Sequence, residues 1–339
     1  MKILYAIQGT GNGHIARAED IIPVLQQYGK LDLFVSGAQA DIRLDCPVKY
    51  RSKGLSFYFG KSGGVDLLKT FSKNSVQNVY NEIRSFPVEK YDLVINDFEP
   101  ITAWACIRKR IACVGLSHQS ALLSPLVPKP KNYDPVGDWI IRNYAPVKTC
   151  VGFHFAGFDQ NIFTPVVRRR IRDSVVTDRG HYTVYLPAYD DRKLLPLLNR
   201  FPSVRWHVFS KHAKTAYHIG KISVYPVNNE EFTASMTSSA GVLCGAGFET
   251  PAEALYLRKK LLVIPMKRQY EQHYNAVALK QMGVPVIKKL KKKSFRKIED
   301  WLDTSKKVHV EYEDIAQDAV GRAIALAEHA ISNKSIIYS

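Results

Sequence analysis

Cys244-Gly245-Ala246-Gly247-Phe248-Glu249-Thr250-Pro251-Ala252-Glu253 follows an apolar run and opens a helical pattern. An earlier glycine-rich stretch, Gln8-Gly9-Thr10-Gly11-Asn12-Gly13-His14-Ile15-Ala16-Arg17, repeats that arrangement after the run Ile3 to Ile7. Each reads as a strand, a tight turn and a helix N-terminus, where free N–H groups and the helix dipole favour an anion. Their neighbours differ. Only the earlier turn carries a histidine, His14, and only the later one is followed by two carboxylates, Glu249 and Glu253. The asymmetry points to one half that supplies a base and another that holds a nucleotide.

Around these turns, short β-branched runs alternate with helical stretches. In the first half the apolar runs are Ile3 to Ile7, Leu31 to Ser36, Leu93 to Asn96 and Ala112 to Leu116; in the second they are Tyr182 to Leu186, Val204 to Phe209, Ile222 to Val224, Gly241 to Cys244 and Leu261 to Ile264. Continuous apolar strands separated by helices belong to parallel sheets covered on both faces. The expected fold is α/β, with two doubly wound Rossmann-like domains over residues 1–163 and 164–339. The proline-rich segment Leu123 to Pro146 reads as an extended excursion at the edge of the first domain, and Gly152 to Pro165 as the crossing between domains. A final amphipathic stretch, Tyr312 to Ser332, goes with the second domain or packs back on the first.

Composition sets limits on function. The chain has 339 residues, 46% of them hydrophobic, enough for two cores. It begins with the strand-like KILYAI rather than a leader, and no apolar run approaches about 18 residues, so a cytoplasmic protein is expected. Five scattered cysteines, Cys46, Cys106, Cys113, Cys150 and Cys244, read as reduced thiols rather than a disulfide or zinc framework. The net charge of +17 predicts anionic partners. Two clusters carry much of it: Arg168, Arg169, Arg170 and Arg172, then Lys288, Lys289, Lys291, Lys292, Lys293, Arg296 and Lys297, the latter interrupted by Leu290 and Phe295, which are free to dip into an interface. These are either solvated faces or contacts to an anionic membrane surface, the inner face of the plasma membrane, worth roughly 1 kcal/mol per basic side chain. Nucleic acid is the weaker partner, since no recognition motif accompanies the charge.

Together with Pro265-Met266-Lys267-Arg268-Gln269-Tyr270-Glu271-Gln272-His273-Tyr274-Asn275-Ala276, the two turns resemble the GT-B glycosyltransferases. The chain is similar to the branch holding the peptidoglycan lipid-intermediate N-acetylglucosaminyltransferase and the UDP-glucuronosyltransferases. That resemblance implies two Rossmann-like domains facing a cleft. It also implies inverting transfer, without metal or cofactor, from a nucleoside diphosphate sugar, here a UDP-sugar, to a hydroxyl acceptor, which the basic clusters suggest is lipid-linked at the membrane surface.

The resemblance further assigns residues. Gly245, Ala246, Gly247, Phe248, Glu249 and Thr250 form the donor turn; Glu253 takes the ribose hydroxyls, with Glu249 as its competitor; Glu271 and Gln272 take the donor sugar. On the acceptor side lie Gly11, Asn12, Gly13, Arg17 and His118, Arg17 serving the diphosphate or capping the helix. His14 is the base, a role an imidazole suits near neutral pH. Asp97, in Ile95-Asn96-Asp97-Phe98-Glu99, orients it, with Glu99 as the alternative. Two other readings use the same scaffold: a UDP-N-acetylglucosamine 2-epimerase-like enzyme and a non-catalytic nucleotide-sugar-binding module.

Overall fold

The computed structural model describes residues 1–10, 12–37, 44, 46–54, 73–131, 134–267 and 269–337, so Gly11 of the first turn and Arg268 lie outside the described residues. The first sheet contains β1 (Lys2–Gln8), β2 (Lys30–Ser36), β3 (Tyr50–Ser52), β4 (Leu93–Asp97), β5 (Cys113–Ser117), β6 (Thr149–Phe153) and β7 (Ile162–Phe163). All are parallel, in the order β3-β2-β1-β4-β5-β6-β7. The second contains β8 (His181–Tyr185), β9 (Arg205–Ser210), β10 (Tyr217–Ile219), β11 (Ile222–Pro226), β12 (Gly241–Gly245) and β13 (Lys260–Ile264). Its order is β10-β11-β9-β8-β12-β13, parallel apart from the β10–β11 hairpin at one edge.

Residue alternation explains why both faces are covered. In β1, Ile3, Tyr5 and Ile7 enter one apolar core while Leu4 and Ala6 enter another. In β12, Val242 and Cys244 join the first of those cores and Leu243 joins a third. Strands buried on both sides need helices on both sides. On the first domain these include α1 (Asn12–Gln26), α2 (Lys73–Ser85), α3 (Pro100–Lys109), the short α4 (His118–Leu122) and α5 (Pro135–Asn143). After the one-turn α6 (Arg169–Arg172), the second carries α7 (Asp191–Leu198), α8 (Asn229–Thr237), α9 (Glu249–Tyr256), α10 (Tyr270–Gln281) and α11 (Phe295–Asp303). Strand order reverses between β1 and β4 and again between β8 and β12, and ligands of such sheets bind beyond the strand ends at these points. Both glycine turns sit there.

Three expectations change. Gly152 to Pro165 does not cross between domains but closes the first sheet, with Gly152 beside Ile162 and Phe153 beside Phe163. The edge strand β7 has only two residues, too few to show a period, and in β6 Gly152 is there because a Cβ would stand 2.6 Å from Ala121 N of α4. The excursion from Leu123 to Pro146 is not extended throughout: it holds α5, whose N-cap Asp134 accepts from Gly137 N at 3.4 Å and whose first residue is Pro135. Leu290 and Phe295 do not face outward. Leu290 is buried, its N–H donating to Tyr189 Oη at 3.0 Å, and Phe295 packs edge-on to Phe201 in the second domain's own core.

The final helix, α12 (Ala316–Ile337), returns to the first domain and packs across β5, β6 and α1. Its Ala319, Val320, Ala323 and Ile324 join a core that also holds Ile3 and Ile7 of β1 and Phe248 of the second domain. One apolar core therefore runs through both domains.

Candidate active site

His14 lies in the first turn of α1, directly beyond the end of β1, and Asp97 ends the adjacent β4. Nδ1–H of His14 donates to Asp97 Oδ1 at 2.7 Å. Arg17, one helical turn after His14, donates from Nη2 to both oxygens of Asp97 at 2.7 and 2.8 Å, and Tyr5 Oη adds a 3.4 Å bond. Asp97 and Arg17 are almost wholly buried, whereas the His14 side chain keeps 14% of its surface exposed. Burial pushes the Asp97 carboxyl up, but Arg17 and His14 prevail and hold it below the usual range. Burial likewise pushes His14 down, yet the charge and hydrogen bond of Asp97 raise it above its ordinary value.

Phe98 makes this separation of roles sterically possible. Its φ of 56°, unusual for a residue with a Cβ, kinks the chain between two carboxylates that turn to different partners. Glu99 is the N-cap of α3, accepting from Ile101 N at 2.8 Å and Thr102 N at 2.7 Å, and Asn96 braces the turn. It has no contact with His14; Asp97 has.

The two glycine turns meet across the cleft. Glu249, the first residue of α9, accepts from Arg17 Nη1, and its Oε2 stands where a Cβ at Gly13 would be. Asn12 and Gly13 thus lie against the donor turn. Gly247 is open to the cleft, where a Cβ would meet nothing within 4 Å. The start of α9 has no side-chain cap, and residue 251 is proline; Glu249 and Thr250, whose N–H groups lie in this uncapped first turn, line the cavity. Ala246 and Phe248 serve the junction instead: Ala246 O accepts from Asn275 Nδ2 at 3.1 Å, and Phe248 stacks on His118 at 3.9 Å. His118 is buried between domains, with Nδ1 donating to Phe153 O at 2.8 Å and Nε2 2.7 Å from Asn275 Oδ1. Burial depresses it to about 3, and as a neutral ring it donates to only one of these two oxygens.

Glu271, in the first turn of α10 beyond β13, reaches toward His14. Gln119 of α4 lies between them, its Nε2 2.8 Å from Glu271 Oε2 and 3.3 Å from His14 Nε2. Burial raises the Glu271 carboxyl above its usual value against the opposing charge of His14. Gln272 braces the turn before α10, accepting from Met266 N at 2.9 Å beside Gly245.

Glu253 stands one turn after Glu249 on the same helix face. It is buried and clamped by Arg168 through two parallel bonds, from Nε and, at 2.8 Å, from Nη2; Arg168 Nη1 also donates to Asn229 at 2.7 Å. These groups line an interdomain cavity of about 510 Å³ with Asn12, Gly13, Thr250, Tyr185 and Phe232. A larger hollow of about 680 Å³ lies behind α9, but it contains none of the residues at the strand ends. The cavity between the turns is the one served by the helix N-termini. Among the described residues, no group of three His, Cys, Asp or Glu is arranged to hold a metal ion.

Of the arginine cluster, Arg168 is buried and Arg172 donates to Val167 O, Tyr312 O and Glu313 O, while Arg169 and Arg170 stay exposed and only approach Asp314 and Glu19, each at 3.6 Å. The lysine cluster is exposed throughout. Sequence reasoning missed Gln119 and Arg168 as parts of the site. Gln119 had no signal beyond its place after a strand end, whereas Val166-Val167 before Arg168 was a sign that the chain there runs through the core.

The model of glycosyl transferase family 1 matches residues 1–305. No curated protein matches. Solved structures similar over nearly the whole chain include Arabidopsis thaliana UGT89C1 complexed with UDP-L-rhamnose, 12% identical, covering 97% of this chain and 94% of that one with a TM-score of 0.56. Another is the glycotransferase of kitacinnamycin, 11% identical, covering 97% and 95% with a TM-score of 0.55. MurG of Acinetobacter baumannii is 13% identical, covering 98% of each chain with a TM-score of 0.52. At these identities the likeness establishes the GT-B fold. With the family model spanning both domains, the chain belongs to glycosyl transferase family 1 and is a glycosyltransferase.

Proposed function

We propose that this glycosyltransferase moves a sugar from a UDP-sugar to a hydroxyl group with inversion and without a metal ion. The observation that carries the reading is the His14–Asp97 pair, held at 2.7 Å and facing the N-terminus of α9 across the cleft. The acceptor oxygen attacks the anomeric carbon as its proton passes to His14 Nε2, and Asp97 stabilises the imidazolium that forms. The bond to the diphosphate breaks with its electrons leaving on the phosphate oxygen. Backbone N–H groups at the start of α9 and the helix dipole meet that charge in place of a cation. Arg168 and Glu253 frame the ribose side of the cavity, and the tilted pair Tyr185 and Phe232 offers the base an aromatic wall. UGT89C1, which shares the fold, is known in complexes with UDP and with UDP-L-rhamnose.

The acceptor is proposed to be lipid-linked and reached from an anionic membrane surface. Its support is the exposed lysines and arginine between Lys288 and Lys297, which form no ion pair among the described residues. No described helix is long and apolar enough to cross a membrane. A thermal-shift panel of UDP-, GDP- and TDP-sugars tests the donor. A UDP-sugar at 100 times its Kd should stabilise by about 2.7 kcal/mol; no shift with any of them overturns the reading. Incubation with the donor alone separates transfer from epimerisation, since formation of an epimer rejects the transferase mechanism.

A further inference from the structure

Gln119 occupies the point where the two halves of the site meet. It is 4% exposed, and its Nε2 lies 2.8 Å from Glu271 Oε2 and 3.3 Å from His14 Nε2. The amide turns its NH2 group toward the Glu271 carboxyl and toward His14. The two hydrogens of that group then serve Glu271 and the lone pair of His14 Nε2. Asp97 accepts a hydrogen bond from N–H on the opposite ring nitrogen, so Nε2 is the nitrogen left to act as a base. The remaining amide oxygen is buried without a hydrogen-bond partner. A buried side chain held this way, with one end unsatisfied, is placed for the site rather than for stability.

Resting on the reading of His14 as the base, we propose that Gln119 is a positioning residue that caps its reactive nitrogen until an acceptor hydroxyl displaces it. The cap protects the donor from water. In the reaction it suppresses, a water oxygen bonds to the anomeric carbon and the carbon–oxygen bond to the diphosphate breaks. The electron pair leaves with the diphosphate, and the water proton moves to His14 Nε2. A free water gains little by replacing an amide hydrogen bond already made. An acceptor held by contacts elsewhere presents its hydroxyl at a high effective concentration and displaces the amide.

The test compares the full-length protein with Gln119→Ala and with Gln119→Met, which keeps the volume but has no N–H to donate. In the ligand-free protein, the 15N resonance of His14 Nε2 should move in both variants. With UDP-glucose and UDP-N-acetylglucosamine as probes and no acceptor, release of UDP should rise about tenfold in both, the value of one hydrogen bond. UDP affinity by calorimetry should stay within about twofold, because Gln119 does not line the nucleotide cavity. An unmoved resonance, or a Gln119→Met protein that behaves as wild type, overturns the cap. If the wild type and both variants release UDP from neither sugar nucleotide, the donor reading fails, and the resonance alone decides whether the cap exists.

Discussion

His14 is set for its role by two neighbours acting on opposite sides of one ring. Asp97 holds Nδ1–H, and the same carboxylate keeps the group's pKa above its ordinary value despite burial. A base must be unprotonated, so the acid limb of kcat/KM should fall above pH 6.5, the ordinary histidine value. Asp97→Asn removes the charge and frees the ring to adopt the wrong tautomer, which should move that limb to lower pH and slow transfer by roughly 10²- to 10⁴-fold. A pH–rate profile of both proteins decides it: a limb unchanged by Asp97→Asn removes His14 from the titration. Histidine after a glycine turn, and an acid at the end of a neighbouring strand, were legible in the sequence because both sit at fixed places relative to strand ends. Gln119 was not, because its contacts with Glu271 and His14 bridge 152 and 105 positions of chain.

Long apolar strands were legible as elements, while β3, β6 and β10, with three to five residues of mixed polarity, and the two-residue β7 were not. The helix after the donor turn also starts earlier than its apolar pattern, at Glu249 rather than Ala252. That shift turns Glu249 and Glu253 into an i, i+4 pair on one face, each held by a buried arginine from another element. The helix α5 shows how closely elements meet at the other end of the cleft. Gly137 packs on the Tyr270 ring with no room for a Cβ, and Tyr270 Oη donates to Asp134, the cap of α5, at 2.7 Å. Gly137→Ala should therefore cost about 1–3 kcal/mol in urea unfolding through the clash. Tyr270→Ala in the same chain should return part of that loss, giving a non-additive cycle. Strictly additive effects would show that α5 and α10 do not press on each other in solution.

The domains are joined by groups of differing pH sensitivity, and this contributes to the molecule's acid stability. His118, stacked on Phe248, and His154, edge-on to Phe155, lie in the buried junction; burial depresses them to about 3 and about 4. In the unfolded chain each titrates near 6.5, so below that pH the unfolded state binds more protons. Their contribution is complete above pH 6.5 and is lost as pH falls, down to about 4 for His154 and about 3 for His118. Each neutral histidine makes unfolding easier by roughly 1.4 kcal/mol per pH unit within its window. His14, whose pKa is raised, has the opposite sign: its contribution is present below 6.5 and is lost as pH rises. Below pH 6.5 the junction histidines therefore lose stability, as do His207, depressed by burial to about 4, and His181 and His273, whereas the base does not. Urea unfolding between pH 7 and 4.5 should show stability falling with pH, and His118→Gln should reduce the slope by about one proton. An unchanged slope would mean that His118 is already charged between the domains. Both of its nitrogens would then donate, to Phe153 O and Asn275 Oδ1, and a buried cation rather than a neutral ring would hold the two sheets face to face.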